Sequence, residues 1–182
     1  MKLIASGSQT VGPFFTIGLS HLCSAQPFRE TPSVTVRGRV LDGNGDGVPD
    51  AVLEIWQADP LGQYPTGPPD ASGLPSGFAR IATDESGAFC FTTCRPGAVA
   101  FDDAQKQAPH LVVLVFARGL LRQLITRMYF PEIPGNESDR VLQSLPEVRR
   151  KTLVARCPSA NPENLEWNVV LQGDEETVFF AW

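Results

Sequence analysis

The chain has 182 residues, enough for one domain with a sizeable core and few for two. Hydrophobic residues make up 42%, charged residues 19%, and the formal net charge is −5, an ordinary globular balance that excludes a basic nucleic-acid surface. In that acidic field an anionic ligand must be met by a local cation, and 16 Gly with 16 Pro point to strands joined by many turns.

The opening Met1-Lys2-Leu3-Ile4-Ala5-Ser6-Gly7 carries one positive charge and an apolar run too short for a secretory signal. Residues 1–33 have little periodicity and several turn formers, and read as an N-terminal arm crossing the surface of one domain, 34–182. Val34-Thr35-Val36-Arg37-Gly38-Arg39-Val40 alternates apolar with polar, the pattern of a half-buried strand. The cluster Asp42-Gly43-Asn44-Gly45-Asp46-Gly47 matches the opening of an EF-hand loop. The match fails at the twelfth position, which is Leu53 where a bidentate Glu is required, and the flanks read as strands. The cluster is a turn.

A second strand is expected over 51–58, then a proline-rich loop over 59–77 that resists regular pairing. Further strands are predicted at 78–83, 88–93, 111–118, 122–130, 167–173 and 177–180, with a hairpin about Arg118-Gly119-Leu120-Leu121. The longest apolar run, 111–117, is far below the ~20 residues that span a bilayer, so a soluble, cytoplasmic protein is expected. One short helix is predicted, because Ser144 with Glu147 has the spacing of a capping box and Pro146 suits a first helical turn. About eight short strands with turns between them favour an antiparallel β-sandwich. Of the four cysteines, Cys23, Cys90, Cys94 and Cys157, the middle two share a predicted strand. Four residues of strand separate their Cα atoms by ~13 Å, too far for a disulfide. Buried thiols are the expected reading.

Several segments occur in the order found in one enzyme family: Ser8-Gln9-Thr10-Val11-Gly12-Pro13-Phe14, Leu53-Glu54-Ile55-Trp56-Gln57-Ala58-Asp59, Gly62-Gln63-Tyr64, Arg95-Pro96-Gly97, Ala108-Pro109-His110 and Phe116-Ala117-Arg118-Gly119. In that order the chain resembles the intradiol ring-cleaving dioxygenases. Its ending, Gly173-Asp174-Glu175-Glu176-Thr177-Val178-Phe179-Phe180, is similar to the alpha-type chains of the members that act on protocatechuate.

The resemblance implies a β-sandwich that holds a non-haem ferric ion with two tyrosinates and two histidines. Fe(III) is a hard cation suited by phenolate oxygen and imidazole nitrogen, and a His-x-His pair on a strand points to one face. Tyr64 matches the first tyrosine position and His110 the first histidine. The second tyrosine position, three residues after Pro96, is Val99, and the second histidine position is Val112. An isopropyl group has no lone pair, so the set is vestigial and this chain is expected to hold no metal. Tyr64 then reads as a pocket lining and His110 as a satisfied core histidine. His21 and Tyr129, the remaining His and Tyr, could complete a ligand set by another route. Neither falls on a family position, and Tyr129 reads better as a core or interface aromatic.

By the same resemblance, Fe(III) belongs to a homologous beta-type partner chain. This chain would supply one wall of the substrate site: Thr10, Gly12, Pro13 and Phe14 from the arm, and Arg118 to meet the ring carboxylate of protocatechuate. Arg122 and Arg127 stay open as alternatives to Arg118. No catalytic residue is expected in this chain, and the assembly is expected to be a hetero-oligomer of alpha and beta chains acting on protocatechuate and dioxygen. A non-enzymatic β-sandwich binding module is the alternative.

Overall fold

The computed structural model describes residues 5–12, 14–28, 33–68, 76–102, 105–159 and 161–181. Among these residues ten strands follow in chain order: β1 (Ser33–Leu41), β2 (Val52–Gln57), β3 (Phe78–Ala82), β4 (Ala88–Cys94), β5 (Val99–Ala100), β6 (Lys106–Gln107), β7 (His110–Phe116), β8 (Leu124–Tyr129), β9 (Asn164–Glu166) and β10 (Val169–Val170). The helices are short: α1 (Phe15–Leu19), α2 (Arg140–Gln143) and α3 (Glu147–Arg150).

One sheet has the order β3-β2-β7-β8 and is antiparallel throughout. In the other, β1 pairs antiparallel with β4 on one edge and parallel with β9 and β10 on the opposite edge. A short β5–β6 ribbon lies apart from both. The sandwich is therefore as expected, apart from the parallel closure by β9 and β10.

Alternation along the strands builds the core. Val34, Val36 and Val40 of β1 and Phe89 and Phe91 of β4 face Leu53 and Ile55 of β2 and Leu111, Val113 and Val115 of β7. Each such buried side chain contributes roughly 1.5–3 kcal/mol. Gly38 occupies an inward position of β1, where the chain between β9 and β10 crosses closely. A Cβ there would lie 1.7 Å from the Trp167 carbonyl oxygen and 2.8 Å from the Phe89 ring.

A second apolar layer, Ala108, Tyr129, Leu142, Leu153 and Val178, covers the end of β8. Asp139 organises it. Wholly buried, its carboxylate accepts hydrogen bonds from the amides of Ala108, Val141 and Leu142 at 2.8 to 3.0 Å and from the Tyr129 hydroxyl at 3.2 Å. Asp139 thereby caps α2. The predicted helix start at Ser144 is corrected here: Ser144 ends α2, its hydroxyl donates back to the Val141 carbonyl at 2.7 Å, and Pro146 precedes α3.

The predicted strand at 177–180 is not one. That segment spans from one sheet to the other. The Thr177 amide donates to Val170 of β10, the Phe180 amide to Ile125 of β8, and the Thr126 hydroxyl to the Val178 carbonyl, so it keeps a ladder with neither. The predicted strand over 167–173 is shortened to β10, with β9 before it. The Asp42 cluster is a turn, as read: the Asp42 side chain accepts the Asn44 and Asp46 amides at 2.9 and 3.0 Å, and Gly45 takes φ +84°. The buried-thiol reading holds for Cys94, while Cys23, Cys90 and Cys157 are exposed, Cys90 because it points away from the core on β4. Among the described residues no helix is long and apolar enough to cross a membrane.

Three substitutions test this packing by chemical unfolding. Gly38→Ala is expected to cost about 2–3 kcal/mol, since backbone must shift. Gly67→Ala, with nothing within 4 Å of its Cβ, is expected to stay within about 0.5 kcal/mol of the parent. Asp139→Ala is expected to cost about 3 kcal/mol or more, because buried amides and the Tyr129 hydroxyl lose a charged acceptor together. A loss below about 1 kcal/mol would contradict its organising role.

Candidate functional site

Strand β7 connects two clusters. Its alternation sends Leu111, Val113 and Val115 into the core and sets His110, Val112, Leu114 and Phe116 on the outer face. At ~3.3 Å per residue, His110 and Phe116 lie about 20 Å apart.

At the His110 end gather Tyr64, Val99, His110 and Val112, the four positions that the resemblance aligns with metal ligands. Two loops bring them there. Asp59 accepts the Leu61 and Gln63 amides on its side chain and the Gly62 and Gly97 amides on its carbonyl. This fastens the loop that carries Tyr64 against the Arg95-Pro96-Gly97 segment that leads into β5. A Cβ at Gly62 (φ +82°) would meet the Ala98 carbonyl oxygen at 2.2 Å, so the close approach requires glycine. Tyr64 is half-buried and stacks on Trp56, with ring centroids 6.0 Å apart and planes within 7°. Trp56 lies opposite Val112 in the β2–β7 ladder. Val99 is buried in β5, opposite Gln107 of β6.

His110 is buried and its Nδ1–H donates to the Ala108 carbonyl at 2.8 Å. Burial, helped by the Arg127 charge, pushes its pKa down to about 4, so the imidazole is neutral near pH 7. Burial raises the Tyr64 and Tyr129 hydroxyl pKa values, and the Arg127 charge opposes both shifts. Both phenols are therefore protonated at neutral pH.

These residues do not fit a ferric ion. Two of the four positions, Val99 and Val112, are hydrocarbon, and the Arg127 guanidinium already stands in the cluster. Tyr129 does adjoin His110, with ring centroids 5.5 Å apart, but its hydroxyl is committed to Asp139 and Arg127. It is a core aromatic, as expected. His21 sits exposed on a 3-10 turn of the arm.

At the Phe116 end the arm meets the β7–β8 hairpin. Phe15 of α1 packs on Phe116, centroids 5.6 Å apart. The Gly119 amide donates to the Thr10 hydroxyl at 2.8 Å, and the Thr16 hydroxyl donates to the Asp50 carbonyl at 2.9 Å. Arg118 extends beside Asp50, Nη2 to Oδ2 3.3 Å, with its side chain 52% exposed. Thr10 and Arg118 are thus brought together at one tip. Gly12 has open space about it and Phe14 is 76% exposed. Pro13 lies outside the described residues.

Arg122 is exposed in the loop before β8, not in the strand as expected. With Gln9, Val11 and Leu121 it borders a shallow hollow beside the arm. Arg127 lies toward the opposite end of β7, paired with Val112 in the β7–β8 ladder and away from Arg118. Sequence reasoning missed its role and those of Gln107 and Asp139. The signal was present: a hairpin folded symmetrically about Gly119 and Leu120 places 127 opposite 112 and 129 opposite 110, which is the observed register.

Comparison with known proteins agrees with this geometry. Residues 28–173 match the family described as Dioxygenase (Dioxygenase_C). The chain is 40% identical to the protocatechuate 3,4-dioxygenase alpha chain of Burkholderia cepacia, over 95% of each chain. It is 29% identical to the beta chain of the same organism's enzyme, over 94% of this chain and 77% of that one. Among solved structures, the dioxygenase domain of a carbohydrate-binding fusion from Streptomyces sp. SirexAA-E shares the fold, with a TM-score of 0.62, 24% identity, and coverage of 83% of this chain and 88% of that one. By family match, sequence and fold together, the chain belongs to the intradiol ring-cleavage dioxygenase family.

Proposed function

We propose that this chain is the non-iron-binding alpha subunit of a heteromeric, cytoplasmic protocatechuate 3,4-dioxygenase and forms one wall of a substrate site completed by a beta chain. The observation that carries the reading is the separation along β7. The family's ligand positions lie at one end and lack metal donors, while the arm and Arg118 lie about 20 Å away at the other end and face outward. A wall so placed cannot serve the chain's own half-site. It suits a site on a neighbour, and the similarity to alpha and beta chains alike names the kind of neighbour.

The complex would cleave the ring bond between the two hydroxyl-bearing carbons of protocatechuate. Both oxygen atoms of dioxygen enter the product, 3-carboxy-cis,cis-muconate, so the reaction needs no outside reductant. Ferric iron, held by the beta chain, supplies the chelation that activates the catechol. This chain supplies recognition. Arg118 offers a guanidinium to the ring carboxylate, Asp50 holds it in place without burying it, and the Thr10 contact to Gly119 pins the arm beside it. Thr10, Gly12, Pro13 and Phe14 would close the pocket around the ring, glycine allowing close backbone approach. Arg122 is the remaining alternative cation at this tip. The binding-module reading accounts for neither the pinned arm nor the near full-length similarity to the alpha chain.

Two measurements check this reading. Purified alone, the chain is expected to be colourless, iron-free and inactive. Co-expressed with a beta chain it is expected to co-purify as a coloured enzyme whose iron matches the number of beta chains. A red-brown, active preparation of the chain alone contradicts the assignment. In the complex, Arg118→Ala is expected to raise KM for protocatechuate by about 10- to 100-fold, the worth of a charge-assisted hydrogen bond, with little effect on a catechol that lacks the carboxylate. An unchanged KM removes Arg118 from the site.

A further inference from the structure

The degenerate ligand positions converge on one side chain. Val112 lies directly opposite Arg127 in the β7–β8 ladder. Val99 pairs with Gln107, whose Oε1 accepts from Arg127 Nη1 at 2.6 Å. His110 pairs with Tyr129, whose hydroxyl oxygen accepts from the same nitrogen at 3.3 Å. Tyr64, the last of the four, stacks on Trp56, which lies opposite Val112 in the β2–β7 ladder. The places where metal ligands would stand are thus arranged about a guanidinium.

We propose that Arg127 is the resident cation of the vestigial metal site, taking the position and the charge of the absent ion and excluding any metal from it. Its charge is answered along a short chain: Arg127 donates to Tyr129, and Tyr129 donates to Asp139 at 3.2 Å. Asp139 in turn holds α2 and the segment before β7 through backbone amides. A metal-centred cluster ties its loops together by coordination. Here hydrogen bonds from a fixed organic cation do so, with Gln107 securing the β5–β6 ribbon and Tyr129 the α2 layer. A guanidinium stays protonated at any physiological pH, so the site is permanently charged and a second cation entering it would meet repulsion at close range. The inference concerns only this chain's own half-site and does not rest on the role of the arm.

The test uses the full chain in its assembly with the beta partner. Val99→Tyr with Val112→His restores the ligand types while keeping Arg127, and a third variant adds Arg127→Gln. Iron per alpha–beta pair is measured, with the tyrosinate-to-iron absorption. The ligand-restored variant is expected to hold no more iron than the parent, and the Arg127→Gln variant to gain up to one further iron per pair. Extra iron with Arg127 in place overturns the assignment. So does a folded Arg127→Gln variant that gains none.

A second readout does not require the redesigned site to form. Amide hydrogen exchange at Ala155, whose amide donates to the Tyr129 carbonyl at 2.9 Å, reports local opening of the layer. Arg127→Met and Tyr129→Phe are each expected to lower its protection about tenfold, by loss of a hydrogen bond to a charged group. The double variant should lose no more than the larger single one, because the two act as one chain. Losses that multiply in the double variant overturn the assignment.

Discussion

The alternation of β7 is the constraint on which the rest of the structure depends. Leu111, Val113 and Val115 bind the sandwich together from within, and burying them fixes the strand's register, since a shift by one residue would turn them out to solvent. That register leaves His110, Val112, Leu114 and Phe116 on the outer face and delivers Arg118 to a tip. β2 and β8 lie on either side and inherit the same order. Trp56 and Arg127 therefore flank Val112, and Tyr129 flanks His110. One hydrophobic decision sets the positions of both clusters.

The two clusters have parted in chemistry. At the His110 end the groups are largely buried and several are answered within the chain: a neutral imidazole on a carbonyl, a tyrosine on a buried carboxylate, a guanidinium on an amide and a hydroxyl. Such satisfied networks rigidify a fold. At the Phe116 end the groups are exposed and only partly answered. Arg118 shares one carboxylate with solvent around it, and Phe14 and Ile17 project from the arm. Buried, hydrogen-bonded groups lie at one end of the strand and exposed ones at the other, a division that suits the proposed subunit role.

Much of this was legible in the sequence, and the exceptions have physical causes. Strands β1, β2, β4 and β7 stood out because each has one face in the core and so shows alternation or a continuous apolar run. Segment 177–180 misled because its apolar residues pack against both sheets, giving strand composition without a ladder. The helix boundary misled because Asp139, a stronger acceptor than Ser144, already caps α2 five residues earlier, which leaves Ser144 at that helix's end. Arg127 read as an alternative to Arg118 because its surroundings depend on what lies across the hairpin, and that pairing emerges only once the hairpin is folded symmetrically about Gly119 and Leu120. Three exposed thiols went astray for a similar reason: cysteine type suggests burial, whereas facing direction decides it.

The most direct measurement of the central claim is anomalous diffraction at the iron edge from crystals of the alpha–beta assembly with protocatechuate bound. The account predicts an iron peak in the beta chain alone, with the substrate carboxylate within hydrogen-bond distance of Arg118 and the arm residues of this chain beside the ring. An iron peak between Tyr64 and His110 of this chain, in place of the Arg127 guanidinium, would contradict it.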